Sequence, residues 1–118
     1  MENYPKAIGP YSVYRICGDL IFISGQLPIN PTSGGLVEGI EAQTKRSLQN
    51  IEAVLCELGL NFENIVKTTV FLSDIQNFAK MNEIYGGFFK APYPARSAFA
   101  VKDLPKGAMV EIEVIAEK

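Results

Sequence analysis

The chain contains no histidine among its 118 residues. This absence excludes the Ser-His-Asp and Cys-His systems that activate a nucleophile, and it removes the imidazole ligands of the common transition-metal sites. Any proton transfer must therefore use carboxylates, tyrosines, lysines, backbone groups or water.

Positive charge and long apolar runs are also scarce. The formal net charge is −2 and the pI is about 5.1, without the basic patch expected of a nucleic-acid-binding protein. No stretch is apolar enough to span a bilayer, and the first residues lack the apolar region of a secretory signal. We therefore expect a cytoplasmic protein with no nucleic-acid or membrane partner. Cys17 and Cys56 are expected to be buried, reduced thiols, with a disulfide between them as the alternative.

The motifs that hold common cofactors are missing as well. The sequence has no Gly-rich phosphate loop, no GxSxG elbow and no cluster of metal ligands. We expect no metal site, and neither a redox cofactor nor ATP is implied.

Hydrophobic periodicity predicts one domain, residues 1–118, with the element order β-β-α-β-α-β-β. The first helix is the clearest, because apolar residues recur at helical spacing from Ile40 to Leu58 and Gly59 stands at the C′ position. The second helix follows an N-cap at Ser73 or Asp74 and turns six residues inward: Ile75, Phe78, Met81, Ile84, Tyr85 and Phe88. The predicted strands are residues 11–16, 20–26, 64–72, 96–101 and 109–116.

Two helices with mostly antiparallel strands indicate an α+β architecture, in which both helices pack on one face of a sheet. The other face would then be open. Phe22, Phe71, Val70 and Phe99 are available to line one side or the other, so we expect a neighbouring subunit to cover the open face in a homo-oligomer.

Arg96 is the first candidate for chemistry. A guanidinium is always charged, and its planar fork suits a carboxylate or a phosphate. A surface salt bridge or an exposed position on an edge strand would explain an ordinary arginine equally well. The small and apolar neighbours of Arg96 favour a specific partner for its charge.

Glu111 and Glu113 alternate with Val110, Ile112 and Val114 in the last strand, so the carboxylates face away from the apolar side. They form either a solvated outer face or a carboxylate that orients or deprotonates water at a subunit boundary. Four weaker candidates, each also explained by a structural role, are Tyr11, Ser24, Asn82 and Tyr85.

Short segments in a fixed order along the chain are more specific than any single residue. They are residues 8–12 (IGPYS), 24–28 (SGQLP), 43–50 (QTKRSLQN), 66–74 (VKTTVFLSD), 94–97 (PARS), 104–107 (LPKG) and 110–113 (VEIE). Over nearly its whole length the sequence resembles the RidA/YjgF/YER057c/UK114 family, specifically its RidA-type members.

This resemblance implies a fold similar to chorismate mutase, with a mixed sheet backed by two helices. It implies a homotrimer whose sheets form a central barrel, with active sites in the clefts between subunits. RidA-type members hydrolyse the reactive enamines and imines, such as 2-iminobutanoate and 2-iminopropanoate, that pyridoxal-phosphate dehydratases release. The products are 2-oxo acids and ammonia, and no cofactor is needed.

The family's site residues fall on matching positions. The resemblance implies that Arg96 binds the substrate carboxylate and that Glu111 positions a water. It places the rest of the pocket at Tyr11, Ser24, Gly25, Asn82, Tyr85 and Ala98. Ala98 departs from the cysteine of many bacterial members, although the family also uses backbone groups at that position.

Two other functions stay open at this point. One is a trimer that binds 2-oxo acids or other small carboxylates without turning them over. The other is a ribonuclease or translation inhibitor, against which the acidic charge balance argues.

Overall fold

The computed structural model describes residues 3–118, and its seven main elements follow the predicted order. The predicted domain also includes residues 1 and 2, which lie outside the described part. The elements are β1 (Tyr14–Cys17), β2 (Leu20–Gln26), α1 (Ile40–Glu57), β3 (Ile65–Leu72), α2 (Phe78–Gly86), β4 (Ala95–Ala100) and β5 (Val110–Glu117). Short 3₁₀ turns precede three of them: Phe62–Asn64, Ile75–Asn77 and Pro105–Gly107.

The five strands form one mixed sheet in the order β1-β2-β5-β3-β4. Three neighbouring pairs are antiparallel, and only β3 and β4 are parallel. Parallel strands need a crossover connection, and α2 lies in the segment that joins β3 to β4. The predicted α+β architecture is therefore confirmed.

Both helices cover the same face of the sheet. Alternate residues of each central strand are buried toward them, as Val110, Ile112 and Val114 show in β5. α1 contributes Leu48, Ile51 and Leu55 to the same core. Among residues 3–118, no helix combines the length and the apolar character needed to cross a membrane.

The opposite face of the sheet carries exposed aromatic residues. Phe22 and Phe99 are 43% and 45% exposed, and the ring of Phe71 meets that of Phe99 edge to face with centroids 5.5 Å apart. Val70 instead points into the core and is fully buried. The structure thus has the open face that the sequence predicts.

The prediction that the cysteines are buried is wrong. Cys17 and Cys56 are free thiols, as expected, but both are exposed. Cys17 ends a strand at the edge of the sheet, and Cys56 is one residue before the end of α1, on its solvent side. Neither position is covered by another element of the chain.

Two element boundaries differ substantially from the predictions. The first strand begins at Tyr14 rather than at residue 11, so Tyr11 lies in the preceding loop. The second helix begins at Phe78, because the Asp74 side chain accepts a hydrogen bond from the backbone N–H of Gln76 and caps a separate 3₁₀ turn. Ile75 in that turn is 50% exposed and does not point inward.

The remaining differences are small. Phe88 lies beyond the end of α2, although it still packs against the core. The third strand begins one residue later than predicted. The last two strands are each displaced by one residue.

Gly59 ends α1 as the sequence predicts. Its φ is +74°, and its N–H donates to the carbonyl of Cys56 while the N–H of Leu60 donates to that of Leu55. These two bonds form a Schellman motif, which requires a left-handed residue at C′. The turn starts the chain toward β3.

We expect Gly59→Ala to lower the free energy of unfolding by about 1–2 kcal/mol, because a Cβ is disfavoured in the left-handed region. Gly86→Ala is the matched control: Gly86 is the last residue of α2, its φ is not positive and there is open space around it, so the added methyl group should not lower the free energy of unfolding. Urea unfolding of both variants measures the difference. Equal effects of the two substitutions would contradict this role for Gly59.

Candidate active site

Arg96 lies on the edge strand β4, next to Thr68 of β3 in the parallel register. Its side chain extends over α2 on the helical face of the sheet. There Nη1 donates a 2.7 Å hydrogen bond to Oδ1 of Asn82. The Cζ atom lies 4.8 Å from the ring centroid of Tyr85 and 5.6 Å from that of Phe78. The guanidinium is therefore held by one amide and two aromatic rings.

The helical repeat of α2 brings these three partners together. Phe78, Asn82 and Tyr85 are spaced four and then three residues apart, so they share one face of the helix. That face is turned toward β4. Asn82 and Tyr85 are candidates from the sequence, and the structure places both against Arg96.

Arg96 is not neutralised by a carboxylate in the described part of the chain. Within residues 3–118 the guanidinium makes one hydrogen bond, to a neutral amide, and has no acidic partner. The salt-bridge interpretation is therefore wrong for the described part of the chain, whereas the exposed position on an edge strand is correct. A full positive charge with unused N–H donors remains at the surface, which is what an anion site needs.

Tyr85 contributes its ring and not its hydroxyl. The hydroxyl lies 2.8 Å from Oγ1 of Thr68, and Tyr85 is only 5% exposed. Burial raises its pKa above the ordinary tyrosine value, although the Thr68 hydrogen bond and the Arg96 charge act in the opposite direction. The phenol is therefore neutral at physiological pH, and its hydroxyl is engaged by Thr68 in the core and does not face the surface.

Glu111 lies in a second cluster, on β5 beside β2. The register between these strands shifts between Ile23 and Gln26, so that Ser24 and Gly25 of β2 oppose the single residue Glu113, two positions from Glu111. A Cβ on Gly25 would come within 2.9 Å of Cδ of Glu111. Gly25 is thus the residue that makes room for the carboxylate.

The environment of Glu111 changes its acidity. The side chain is half-buried, and within the described range no hydrogen-bond donor satisfies its carboxylate. Burial, and then repulsion by Glu113, raise the pKa of Glu111 above the ordinary glutamate value. Such a carboxyl gives up and takes back a proton closer to neutral pH than a solvated one does. Glu113 is exposed and fits the solvated interpretation.

Ser24 and Tyr11 complete this second cluster. The Ser24 hydroxyl donates a 2.6 Å hydrogen bond to the backbone carbonyl of Ser12, so a ligand would meet its oxygen as an acceptor. Tyr11 is half exposed and shares with Gly25 and Lys106 the lining of a small cavity of about 180 Å³. The predicted residues therefore divide between two clusters.

Arg96 and Glu111 lie on opposite faces of the sheet. Arg96 is level with Thr68, and Glu111 is level with Phe71 on the same strand β3. Paired residues share a face, and positions three apart in a strand face opposite sides. A single chain does not bring the two predicted catalytic residues together.

Ala98 follows Arg96 by two residues and lies on the same face, half-buried and paired with Val70. Two contributors to the Arg96 cluster, Phe78 and Thr68, are not among the candidates from the sequence. Phe78 could have been found from its helical spacing to Asn82. Thr68 had only a weak signal: it is a polar residue at an inward position of a strand.

The sequence matches the family described as Endoribonuclease L-PSP over residues 1–118. The chain belongs to this family. Solved structures with the same fold carry the Rid and RidA names, so the RidA/YjgF resemblance is confirmed. A Rid-family protein from Yersinia pestis is 50% identical with a TM-score of 0.96, and the alignment covers 100% of this chain and 95% of that one.

Named relatives within the family differ in what their names say. The human 2-iminobutanoate/2-iminopropanoate deaminase is 47% identical over 95% of this chain and 82% of its own length. A RutC family protein of Pyrococcus abyssi is 48% identical over 99% and 93%. E. coli TdcF, solved with bound serine, is 40% identical with a TM-score of 0.95, covering 100% and 95%. The family thus includes imine deaminases among proteins with other names.

We expect Glu111→Gln to make the protein more stable than wild type at neutral pH. A carboxyl whose pKa is raised by folding disfavours the folded state once it ionises. The resulting loss in the free energy of unfolding is absent below about pH 4.3, where the carboxyl is protonated in both states. It grows as the pH rises through the folded pKa and is complete above it. Urea unfolding from pH 4 to 8 should show the free energy of unfolding of Glu111→Gln rising relative to that of wild type as pH rises.

Glu117→Gln, an exposed glutamate on the same strand, is the control for the loss of one charge. A difference between Glu111→Gln and wild type that stays constant from pH 4 to 8, or shrinks as pH rises, would contradict the raised pKa.

Proposed function

We propose that the protein is a hydrolytic deaminase of reactive 2-imino and 2-enamino acids, such as 2-iminobutanoate and 2-iminopropanoate, and that it releases 2-oxo acids and ammonia. The observation that carries this proposal is the guanidinium of Arg96, which is exposed, oriented by Asn82 and Tyr85, and without an acidic partner among residues 3–118. The name of the human relative and the serine bound to TdcF support a small 2-amino or 2-imino acid as the ligand.

The chemistry requires few groups. The substrate has a carboxylate next to an electrophilic C=N carbon, so the free N–H donors of Arg96 bind the carboxylate and fix that carbon in place. Glu111 accepts a proton from water as the water oxygen adds to the carbon, and it returns that proton to the imine nitrogen, which gives a carbinolamine. The same carboxylate then takes the hydroxyl proton of the carbinolamine and gives it to the amino nitrogen as the C=O bond forms and the C–N bond breaks, so that ammonia and the 2-oxo acid leave.

The site requires two copies of the chain in this proposal, because Arg96 and Glu111 face opposite sides of one sheet. The Arg96 cluster of one subunit would face the Glu111 cluster of its neighbour. The exposed aromatic residues of the open face, including Phe22 and Phe99, give a homotrimer an apolar surface to bury. Placement of the protein in the cytoplasm remains a prediction.

We expect Arg96→Ala to lower kcat/KM for 2-iminobutanoate by at least about tenfold, since it removes the anion clamp. A threonine dehydratase generates the imine, and the release of 2-oxobutanoate is followed. Arg96→Lys is the matched variant that keeps the charge but loses the planar fork of the guanidinium. Its kcat/KM should lie between the values of Arg96→Ala and wild type.

Equal rates for wild type and Arg96→Ala would refute the assignment of Arg96. Tight binding of 2-oxobutanoate without turnover would instead indicate a carboxylate-binding module.

The shared site is tested by complementation between two inactive variants. Differently tagged Arg96→Ala and Glu111→Gln chains are co-expressed, and mixed trimers are isolated through both tags. In a closed ring one of the three interfaces then pairs an intact Arg96 with an intact Glu111, so about one third of the wild-type rate should return. No recovery of activity would contradict a site built from two subunits.

A further inference from the structure

The Tyr85 ring is fixed from two sides. Its hydroxyl meets the Thr68 hydroxyl at 2.8 Å, and its ring packs against Phe89 with centroids 4.5 Å apart. Thr68 is fully buried, and its strand pairs with a neighbour on each side, so it offers a rigid attachment point. A β-branched side chain in a strand has restricted χ1 freedom, which fixes the direction of its hydroxyl as well.

Thr68 also lies directly beside Arg96 in the backbone pairing of β3 with β4. The contacts therefore close a loop: Thr68 holds the Tyr85 ring, and the guanidinium lies over that ring 4.8 Å from its centroid. An exposed arginine on an edge strand is otherwise free to turn about several single bonds. What limits that freedom here is the set formed by Tyr85, Phe78 and Asn82.

We propose that Thr68 is a positioning residue of the anion site, and that it sets the direction of the Arg96 guanidinium through the hydroxyl of Tyr85. This deepens the proposed function and rests on it for the identity of the anion. It also assigns the Tyr85 hydroxyl to the sheet, so that Tyr85 serves a ligand only by orienting Arg96.

A purely structural role for Thr68 predicts different behaviour. Thr68→Val keeps the shape and removes the hydroxyl, leaving the buried Tyr85 hydroxyl without its partner. If Thr68 served only the core, this change would lower stability and leave Arg96 undisturbed. Thr44 provides the matched control, because it is also fully buried with its hydroxyl bonded, to the Ile40 carbonyl at 2.8 Å, but it lies in α1.

The direct test is nitrogen-15 NMR of the arginine Nε–H groups. The chain has only three arginines, Arg15, Arg46 and Arg96, and the signal of Arg96 is identified by its loss in Arg96→Lys. In Thr68→Val the Arg96 signal should shift and its order parameter should fall. Thr68→Ser keeps the hydroxyl but not the β-branch, so it should change that signal less than Thr68→Val does. Thr44→Val should leave the signal as it is in wild type.

Tyr85→Phe removes the other half of the same hydrogen bond and should reproduce the change in the Arg96 signal. The double variant with Thr68→Val should change the signal no further, because both substitutions break one interaction. An Arg96 signal that is unchanged in both single variants would overturn the proposal. If Thr68→Val does not fold, the Arg96 signal of Tyr85→Phe tests the proposal in its place.

The functional readout is the affinity for 2-oxobutanoate, measured by calorimetry. Thr68→Val should weaken binding by about two- to tenfold, as expected for one neutral hydrogen bond, and should raise KM more than it lowers kcat. A loss of folded protein alone would lower the apparent kcat and leave KM unchanged, and that result would contradict positioning. If wild type neither binds 2-oxobutanoate nor hydrolyses imines, the proposed function fails, while the NMR comparison still decides the role of Thr68.

Discussion

The parallel pairing of β3 with β4 determines how Arg96 is held. Two parallel strands cannot be joined by a tight turn, so the chain must cross over between them, and the crossover here contains α2. Because that helix packs against the sheet, one of its faces lies over the two strands that it connects. The residues that orient the guanidinium, Phe78, Asn82 and Tyr85, occupy that face. The connection that makes the fold thus also brings together the side chains that hold Arg96.

The way in which Arg96 is held leaves its charge available. A carboxylate partner would fix the side chain but would also compete with an anionic ligand for the same N–H donors. Aromatic rings attract a guanidinium through their faces, and the Asn82 amide takes only one hydrogen bond. The side chain is therefore given a direction without being neutralised. The exposed edge position of β4 then gives a small anion access to the remaining donors.

Local patterns in the sequence predicted the features that depend on neighbouring residues in the chain, such as helix ends and strand alternation. The helix ending at Gly59 and the alternation around Glu111 follow from periodicity and turn chemistry, and both are confirmed. The partners of Arg96 could not be derived in this way, because Thr68 is 28 positions away and becomes its neighbour only through strand pairing. The bulge beside Gly25 also depends on register, which no local pattern of β2 reveals. The candidate residues came from the family resemblance, whereas only the sheet shows that Arg96 and Glu111 lie on opposite faces.

That separation constrains how copies of the chain can assemble around a complete site. The Arg96 cluster and the Glu111 cluster are different surfaces on opposite sides of the sheet, so a site containing both must join unlike surfaces of two chains. A two-fold dimer places the same patch of both chains in one interface, which two opposite faces cannot share. A head-to-tail ring joins unlike surfaces at every interface and leaves none unpaired. If Arg96 and Glu111 form the proposed site, a ring of three would have as many complete sites as chains, and a lone chain would have none.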